Sequence, residues 1–373
     1  MDAKMTSDSA KKKTILDILA ERPVVGDGSY VMTLEKRGYV TAGYWTPEVV
    51  LEEPDAVRNL HREFVRAGAD VVQAFSFFGS DSSLKFDGVE LNRKACELAH
   101  EEAQPHGLQV CGGISPTKSY KQNAGEDVVK SEFRKQCDVY IENNVDFLLG
   151  EFFGNVIEAE WAVEVMKSYS LPVACTMRTG PKGDFTGVDP GQCAVRLAKK
   201  GADIVGVNCQ FDYHTSLETI ELMKQALDEA GLKPHLMTQP LGLLAPEVRD
   251  TVLGYTLLPE AMLALDPRVL TRWECRDYAR KAYDLGVRYI GGCCQFESHH
   301  IREIAEELAE ERGFRPIGKD HSIPFGAGNT GEDNNASKVV KSRVGRDYWM
   351  NLLPTTGRAE TFRKKEDFGV DEH

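Results

Sequence analysis

Three of the nine cysteines stand where they could hold a metal ion together. Cys293 and Cys294 are adjacent and follow two glycines, and Cys209 ends a separate Gly-Val-Asn-Cys segment. Glycines allow the tight backbone turn that lets two neighbouring thiolates face one ion. Three thiolates are a strong ligand set for zinc and leave the fourth tetrahedral position for a substrate. Cys209 alone would be typical of a buried small hydrophobe, so the zinc prediction depends on the three cysteines together.

Other chemically useful side chains also follow short apolar runs. Apart from Gly28 these residues are polar or aromatic; the full set is Asp27, Gly28, Ser76, Phe77, Phe78, Glu151, Phe152, Phe153, Asn208 and Gln239. The histidines at 61, 100, 106, 299 and 300 lie in helical or surface contexts, where we expect solvation or helix capping rather than metal binding. No Cys-X-X-Cys pair is present, which argues against a structural zinc ribbon.

Those apolar runs predict the strands that must position the site. Short continuous runs are typical of parallel strands buried on both faces, and they occur near 23–27, 70–76, 108–113, 146–151, 172–177, 203–208, 234–240 and 288–292. Helical patterns follow them near 55–67, 89–104, 127–144, 155–169, 190–200, 215–230, 268–285 and 299–312. Eight such units predict a (β/α)₈ TIM barrel, with an open doubly wound sheet as the alternative. Barrel enzymes carry their chemistry at the carboxyl ends of the strands.

The alternating pattern divides the chain into three parts. We expect an N-terminal segment at 1–22, the catalytic barrel at 23–313, and a linker with a C-terminal arm at 314–373. The arm carries Tyr348 and Trp349, aromatic residues that an isolated tail has no reason to expose. It is therefore predicted to dock on another subunit of a homodimer or homotetramer, or else to fold back on its own barrel.

Composition excludes several classes of protein. The net charge is −13, from 45 basic and 58 acidic residues, so the chain provides no overall field that attracts nucleic acid or an anionic membrane. No apolar run approaches the ~20 residues of a membrane span, and the N-terminus lacks the apolar region of a signal peptide. Nine scattered cysteines do not resemble a disulfide framework. We expect a cytoplasmic protein.

Several longer motifs carry a resemblance to a known family. The residues involved are GDGSYVMTLEKRGYVTAGYWTPE at 26–48, DFLLGEFF, GVNC at 206–209, HLMTQPL at 235–241, GVRYIGGCCQFESHHIREIAEEL at 286–308 and DYWMNL at 347–352. With these motifs the chain closely resembles the zinc-dependent homocysteine S-methyltransferases, above all those that use betaine. The resemblance implies zinc-dependent transfer of a methyl group from glycine betaine to L-homocysteine, giving methionine and dimethylglycine.

The resemblance also implies roles for ten residues. Cys209, Cys293 and Cys294 would hold zinc; Asp27, Gly28, Thr46 and Glu151 would bind the amino-acid end of homocysteine; and Trp45, Phe78 and Phe152 would face the methyl donor. Thr46 also suits a helix N-cap.

This sequence departs from the family at two of those positions. The betaine enzymes carry tyrosines where this chain has Phe78 and Phe152. The rings can still face an onium group, but two hydroxyls that could orient the donor carboxylate are lost. A sulfonium donor such as dimethylsulfoniopropionate or S-methylmethionine is therefore an alternative to glycine betaine, and simple core packing by the two rings is another interpretation. More remote alternatives are a zinc hydrolase on a barrel and a non-catalytic, zinc-stabilised binding protein.

Overall fold

Eight parallel strands form the centre of the protein in the computed structural model, which describes residues 12–40, 47–76, 86–261 and 265–317. The strands are β1 (Val24–Val25), β2 (Val71–Ala74), β3 (Gln109–Ile114), β4 (Phe147–Phe153), β5 (Val173–Met177), β6 (Ile204–Asn208), β7 (His235–Gln239) and β8 (Tyr289–Ile290). Each strand from β2 to β7 pairs in parallel with its successor in the chain, and β8 pairs with β1.

Hydrogen bonds from the backbone and the side chain of Asp70 join β1 to β2. The Asp70 N–H donates to the Val25 carbonyl at 2.7 Å, and the Asp70 carboxylate accepts from the Val25 N–H at 2.8 Å. One step further along, the Gln73 N–H donates to the Asp27 carboxylate at 2.8 Å. The sheet therefore closes on itself, which confirms the predicted (β/α)₈ barrel and excludes the open doubly wound sheet.

Helices surround this barrel. They are α1 (Ile15–Glu21), α2 (Val31–Lys36), α3 (Val49–Glu52), α4 (Pro54–Ala67), α5 (Gly88–Ala103), α6 (Lys118–Lys121), α7 (Glu126–Glu142), α8 (Val156–Met166), α9 (Pro190–Lys199), α10 (Tyr213–Glu229), α11 (Arg272–Leu285), α12 (Ser298–Glu307) and α13 (Ala309–Arg312). Short 3₁₀ turns occupy Gln104–His106, Pro246–Val248, Gly254–Leu257 and Asp266–Arg268. Each predicted helix is present, although the one predicted at 299–312 divides at Leu308 into α12 and α13.

The amino-terminal end of the barrel is filled with apolar side chains. Ile15 and Leu19 of α1 pack against the inward-facing residues of the strands, which are Val24, Val71, Cys111, Phe147, Leu149, Ala174, Ile204, Met237 and Tyr289. The start of α1 is fixed by a capping box between Thr14 and Asp17. Because this end is filled, the space for a ligand lies at the opposite end, where the strands finish.

The structure leaves the prediction about the C-terminal arm untested. The C-terminal arm lies outside the described residues, which end at 317, so its docking on another subunit stays a prediction. Within the described ranges, no helix is long and apolar enough to cross a lipid bilayer.

Candidate metal centre and substrate cavity

The three predicted cysteine ligands meet at the carboxyl ends of β6 and β8. The Sγ atom of Cys294 lies 3.7 Å from that of Cys209 and 4.0 Å from that of Cys293. All three sulfurs lie within 4.8 Å of one another. With Zn–S bonds of ~2.3 Å, ligands at the corners of a tetrahedron stand about 3.8 Å apart. The three sulfurs therefore have the spacing of one face of a tetrahedral thiolate site.

Unusual backbone conformations aim these cysteines at one point. Cys209 and Gln210 have positive φ angles of 57° and 67°, a conformation rare for residues with a Cβ. The Cys209 N–H is held by the Gln239 carbonyl at 2.8 Å. At Gly292 an added Cβ would stand 2.1 Å from the Phe296 ring, so only glycine fits before the cysteine pair. Gly292 is therefore required for close packing against Phe296, whereas neither Gly291 nor Gly292 has the positive φ that a glycine turn would need.

The electrostatics of the three thiols favour a bound cation. The pKa of Cys209 is held well below its usual range because the Cys293 and Cys294 thiols donate to its sulfur. The pKa of Cys293 is raised well above its usual range by the same interaction. One thiolate in this cluster thus opposes the ionisation of the next, and a soft divalent cation would remove that opposition. Their chemistry and spacing fit zinc.

A cavity of about 790 Å³ lies beside the sulfurs. Its lining includes all three cysteines together with Asp27, Gly28, Ser29, Tyr30, Gln73, Phe75, Glu151, Phe152, Asn208, Gln239 and Tyr255. Four of the residues predicted to bind homocysteine or the donor are therefore at this cavity. Trp45, Thr46 and Phe78 lie outside the described residues, and their roles stay predictions. Helix α3 begins after Glu48, which occupies its N-cap position.

Two buried carboxyl groups line the side of the cavity formed by β1, β2 and β4. Asp27 accepts hydrogen bonds at 2.8 Å from the Tyr30 hydroxyl and from the Gln73 N–H, yet burial raises its pKa to about 6. Glu151 accepts from the Gln73 side-chain amide, and burial raises its pKa to about 7. No cation pairs with either carboxyl among the described residues. The two groups are thus poised to receive a cationic part of a substrate.

A bulge in β4 turns Phe152 toward β5 and β6. Between Gly150 and Phe153 the register against β5 shifts by one residue, and Phe152 takes a φ of +64°. The Phe152 N–H donates to the Asn208 side-chain oxygen at 2.9 Å, which stabilises this conformation. Phe152 thereby lines the cavity, and its role toward the methyl donor stays a prediction.

Several residues of the site were not singled out from the sequence. Tyr30 and Gln73 bind the two carboxyl groups, and Tyr255 lines the cavity from a long connection after β7. Arg178 directly follows β5, and its guanidinium lies over the Phe152 ring, 4.5 Å from the ring centroid. Its place at a strand end was a usable signal, whereas Gln73 lies inside β2 and gave none.

One expectation about the histidines was wrong. His61 of α4 is fully buried, its Nδ1 lies 2.8 Å from the Tyr30 hydroxyl, and burial lowers its pKa to about 3. The inner face of α4 packs on the barrel, so this histidine supports Tyr30 rather than facing solvent. His300 behaves as expected, because its Nδ1 accepts from the Glu297 N–H at 3.0 Å in a capping box.

Comparison with known proteins agrees with this geometry. Residues 24–308 match the family model for homocysteine S-methyltransferase. The betaine–homocysteine S-methyltransferase 1 of Xenopus laevis is 50% identical over 377 aligned residues, covering 98% of this chain and 92% of the relative. The S-methylmethionine–homocysteine S-methyltransferase of Pongo abelii is 51% identical over 348 residues, covering 93% and 94%.

Solved structures support the same fold. The apo form of the homocysteine methyltransferase MmuM from Escherichia coli superposes with a TM-score of 0.57 at 18% identity, covering 79% of this chain and 98% of that one. Its metallated form gives a TM-score of 0.58 at 18% identity, with 76% and 95% covered. From the family match and the near-complete coverage at half identity, the chain belongs to the homocysteine S-methyltransferase family.

Proposed function

We propose that this protein transfers a methyl group from glycine betaine, or from a related onium donor, to the thiol of L-homocysteine. Methionine is the product, and dimethylglycine is the second product when betaine is the donor. The observation that carries the proposal is the meeting of three cysteine sulfurs beside a cavity that holds two buried carboxyl groups.

Cys209, Cys293 and Cys294 would hold a zinc ion. Zinc in such a site acts as a Lewis acid that keeps the homocysteine thiol deprotonated at neutral pH while its sulfur stays nucleophilic. The buried position of Cys209 limits the access of water to the thiolates. Three negative sulfurs also favour the approach of a cationic donor along the cavity.

Asp27 and Glu151 would bind the α-ammonium group of homocysteine. An arriving ammonium replaces the water that these carboxyls lost on burial, and it brings their pKa values down toward the ionised state. The carboxylate of homocysteine would then face the backbone around Gly28 and the Thr46 hydroxyl. Gly28 leaves no room for a side chain, because an added Cβ would stand 2.3 Å from the Phe296 carbonyl oxygen.

The donor would lie against aromatic rings. Phe152 offers a ring face to the cavity, and Trp45 and Phe78 would complete the aromatic surface, with cation–π attraction holding the onium group. The two relatives named above use betaine and S-methylmethionine, and their identities to this chain are 50% and 51%. Overall identity therefore does not separate the two donors, and glycine betaine and a sulfonium compound both remain candidates for assay.

A metal titration with and without homocysteine tests the proposal. X-ray absorption on the zinc-loaded protein should show one additional sulfur ligand when homocysteine is added. An unchanged ligand shell would favour a structural zinc site or a hydrolase instead.

Single replacements to alanine test the ligand set. The three variants are C209A, C293A and C294A. Each should abolish both stoichiometric zinc binding and methyl transfer, because the two remaining thiolates hold the metal poorly. Tightly bound zinc in two of the three would contradict the assignment. A panel of glycine betaine, dimethylsulfoniopropionate and S-methylmethionine, assayed with homocysteine, then identifies the donor.

A further inference from the structure

Arg178 is held in an unusual way beside the candidate site. Its guanidinium carbon lies 4.5 Å from the centroid of the Phe152 ring and 4.3 Å from that of the Phe185 ring. The side chain is mostly withdrawn from solvent, and this burial lowers its pKa. Within the described residues its Nε is buried without a hydrogen-bond partner and the guanidinium forms no salt bridge, although Cys209 and Glu158 act on it electrostatically.

Other largely buried arginines of this protein form ion pairs with carboxylates. Arg268 pairs with Glu247 and Glu260, each at 2.6 Å, and Arg276 pairs with Glu303 at 2.7 Å. This is the general rule, since a buried charge without a partner is costly. Arg178 departs from that rule within the part of the chain that the structure describes, so its Nε–H is available to a ligand.

Glu158 lies at the same cavity as Arg178 but is already engaged. Its carboxyl accepts from the Thr117 N–H at 2.7 Å and from the Thr117 hydroxyl at 3.1 Å. Burial raises the pKa of Glu158 to about 7, so about half of the Glu158 carboxyls are protonated at neutral pH. It therefore does not supply the full negative charge that Arg178 lacks.

Phe152, on which Arg178 stacks, lies between two cavities. A second, more open cavity of about 1380 Å³ is lined by Arg178 and Phe185, with the aromatic side chains of Tyr120 and Trp161. Phe152 lines both this cavity and the one that holds the cysteines. A small molecule that extends past the edge of the Phe152 ring would thus have one end near the sulfurs and the other near Arg178.

We propose that Arg178 binds the carboxylate of the onium methyl donor and so selects donors that carry an anionic arm. This inference rests on the methyl-transfer function proposed above. The guanidinium carbon lies over two aromatic rings, and the buried Nε–H has no acceptor among the described residues. The planar fork of N–H groups therefore suits the two-oxygen acceptor of a carboxylate. In this arrangement the donor's onium group lies on the cysteine side of Phe152.

The homocysteine carboxylate is a poorer candidate for this site. The carboxyl of Glu151 bonds to Gln73 of β2, whereas the next residue, Phe152, contacts Arg178 beyond β5. The two consecutive residues of β4 therefore serve different sides of the cavity. Because the ammonium and carboxylate of an amino acid share one carbon, an ammonium held at Glu151 keeps its own carboxylate on that side.

Two sulfonium donors that differ by one carboxylate test the proposal. Steady-state kinetics of the zinc-loaded enzyme would compare dimethylsulfonioacetate with trimethylsulfonium in the wild type, Arg178→Met and Arg178→Lys. Where trimethylsulfonium is not turned over, its inhibition constant against dimethylsulfonioacetate replaces KM. Arg288→Met is the matched control, because Arg288 also stacks on a ring, 4.4 Å from the Tyr283 centroid, but lies at the start of β8.

The expected result is selective. Arg178→Met should raise the KM of dimethylsulfonioacetate about tenfold or more, the effect of losing one charge-assisted hydrogen bond, and should change the trimethylsulfonium constant less than about twofold. Arg178→Lys keeps the charge without the planar fork and should give a smaller rise. The KM of homocysteine and the kinetics of Arg288→Met should not change.

Three outcomes would overturn the inference. An equal rise in the constants of both donors would make Arg178 a packing residue. A selective rise in the KM of homocysteine would assign Arg178 to the amino-acid substrate, and unchanged kinetics would mean that Arg178 has no role in binding either substrate. If Arg178→Met fails to fold, Arg178→Lys decides the question by the same ratio of constants. Failure of the wild type to transfer methyl groups from any donor would refute the proposed function instead, so the two failures are distinguishable.

Discussion

Replacing Glu151 by glutamine should stabilise the protein at alkaline pH while weakening homocysteine binding. The carboxyl of Glu151 is buried at the cavity, where its partner is the side-chain amide of Gln73. A glutamine has nearly the same shape and can still accept that hydrogen bond through its oxygen. The substitution therefore removes the ionisable group with little change in packing.

The magnitude follows from the pKa of Glu151, which burial raises from an ordinary value of 4.5 to about 7. The native state thus binds a proton more tightly than the unfolded chain does. The stability from this proton is fully present below pH 4.5 and is lost as the pH rises through 7. The total loss is about 3 kcal/mol of the free energy of unfolding, of which about 2 kcal/mol falls between pH 5.5 and 8.5.

Urea unfolding of the wild type and Glu151→Gln at pH 5.5 and 8.5, in reductant, measures this effect. The stability advantage of the variant should grow by about 2 kcal/mol between the two pH values. The other titrating groups are common to both proteins and cancel in the difference. Glu221→Gln, at an exposed position of α10, is the matched control for the chemical change from carboxylate to amide.

The kinetic part of the prediction separates stability from function. Glu151→Gln should raise the KM of homocysteine about tenfold or more, because the ammonium loses a charged acceptor. A difference in unfolding free energy that is the same at both pH values would refute the reasoning, since it would mean that Glu151 ionises alike in the folded and unfolded states. An unchanged KM would remove Glu151 from the homocysteine site.

Three further predictions concern the arm, the donor and the strand bulge. Truncation before Lys338 should lower the assembly mass measured by light scattering, and an unchanged mass would favour an arm folded back on its own barrel. The double variant Phe78→Tyr with Phe152→Tyr should shift the kcat/KM ratio toward glycine betaine over a sulfonium donor by about tenfold or more, whereas ratios within about twofold of the wild type would mean that the rings only pack. Asn208→Ala removes the acceptor of the Phe152 N–H and of the Thr176 hydroxyl, so urea unfolding should show that the free energy of unfolding falls by about 2 kcal/mol or more. Thr176→Val should lower the free energy of unfolding less, and equal losses in the two variants would contradict the role of Asn208 at the bulge.

The strands could be predicted because each is apolar on both of its faces. In a parallel barrel one face of each strand packs on the barrel interior and the other face packs on the helices. The apolar residues of β3 to β7 are therefore close together in the sequence and can be recognised within a few residues. The predicted strands one and eight, by contrast, extend beyond β1 and β8, which have two residues each. Beyond Val25 and Ile290 the hydrogen bonds between neighbouring strands continue, because the N–H groups of Gly26 and Gly291 donate to the Ile290 and Thr238 carbonyls at 3.0 Å. The predicted strand ends thus follow the backbone pairing for at least one residue more than the assigned strands.

The ligand set could be predicted because strand ends meet in a barrel. Cys209 and Cys294 are 85 residues apart in the chain, yet both follow strands, and their sulfurs lie 3.7 Å apart. Knowing the fold class was enough to bring these residues to one rim. The roles of individual residues beyond that came from the family resemblance rather than from the fold class.

The sequence by itself thus determined the order of the elements, the barrel and the candidate ligands, since all three depend on patterns within a few neighbouring residues. Only the tertiary structure decided which polar groups are buried and which have partners. Arg178 between two rings, Glu151 bonded to Gln73 and His61 against Tyr30 each join residues from different βα units. The burial of a side chain and its hydrogen-bond or ion-pair partners set its pKa and decide whether its charge is paired. These properties depend on contacts between distant segments of the chain, which local sequence patterns do not contain.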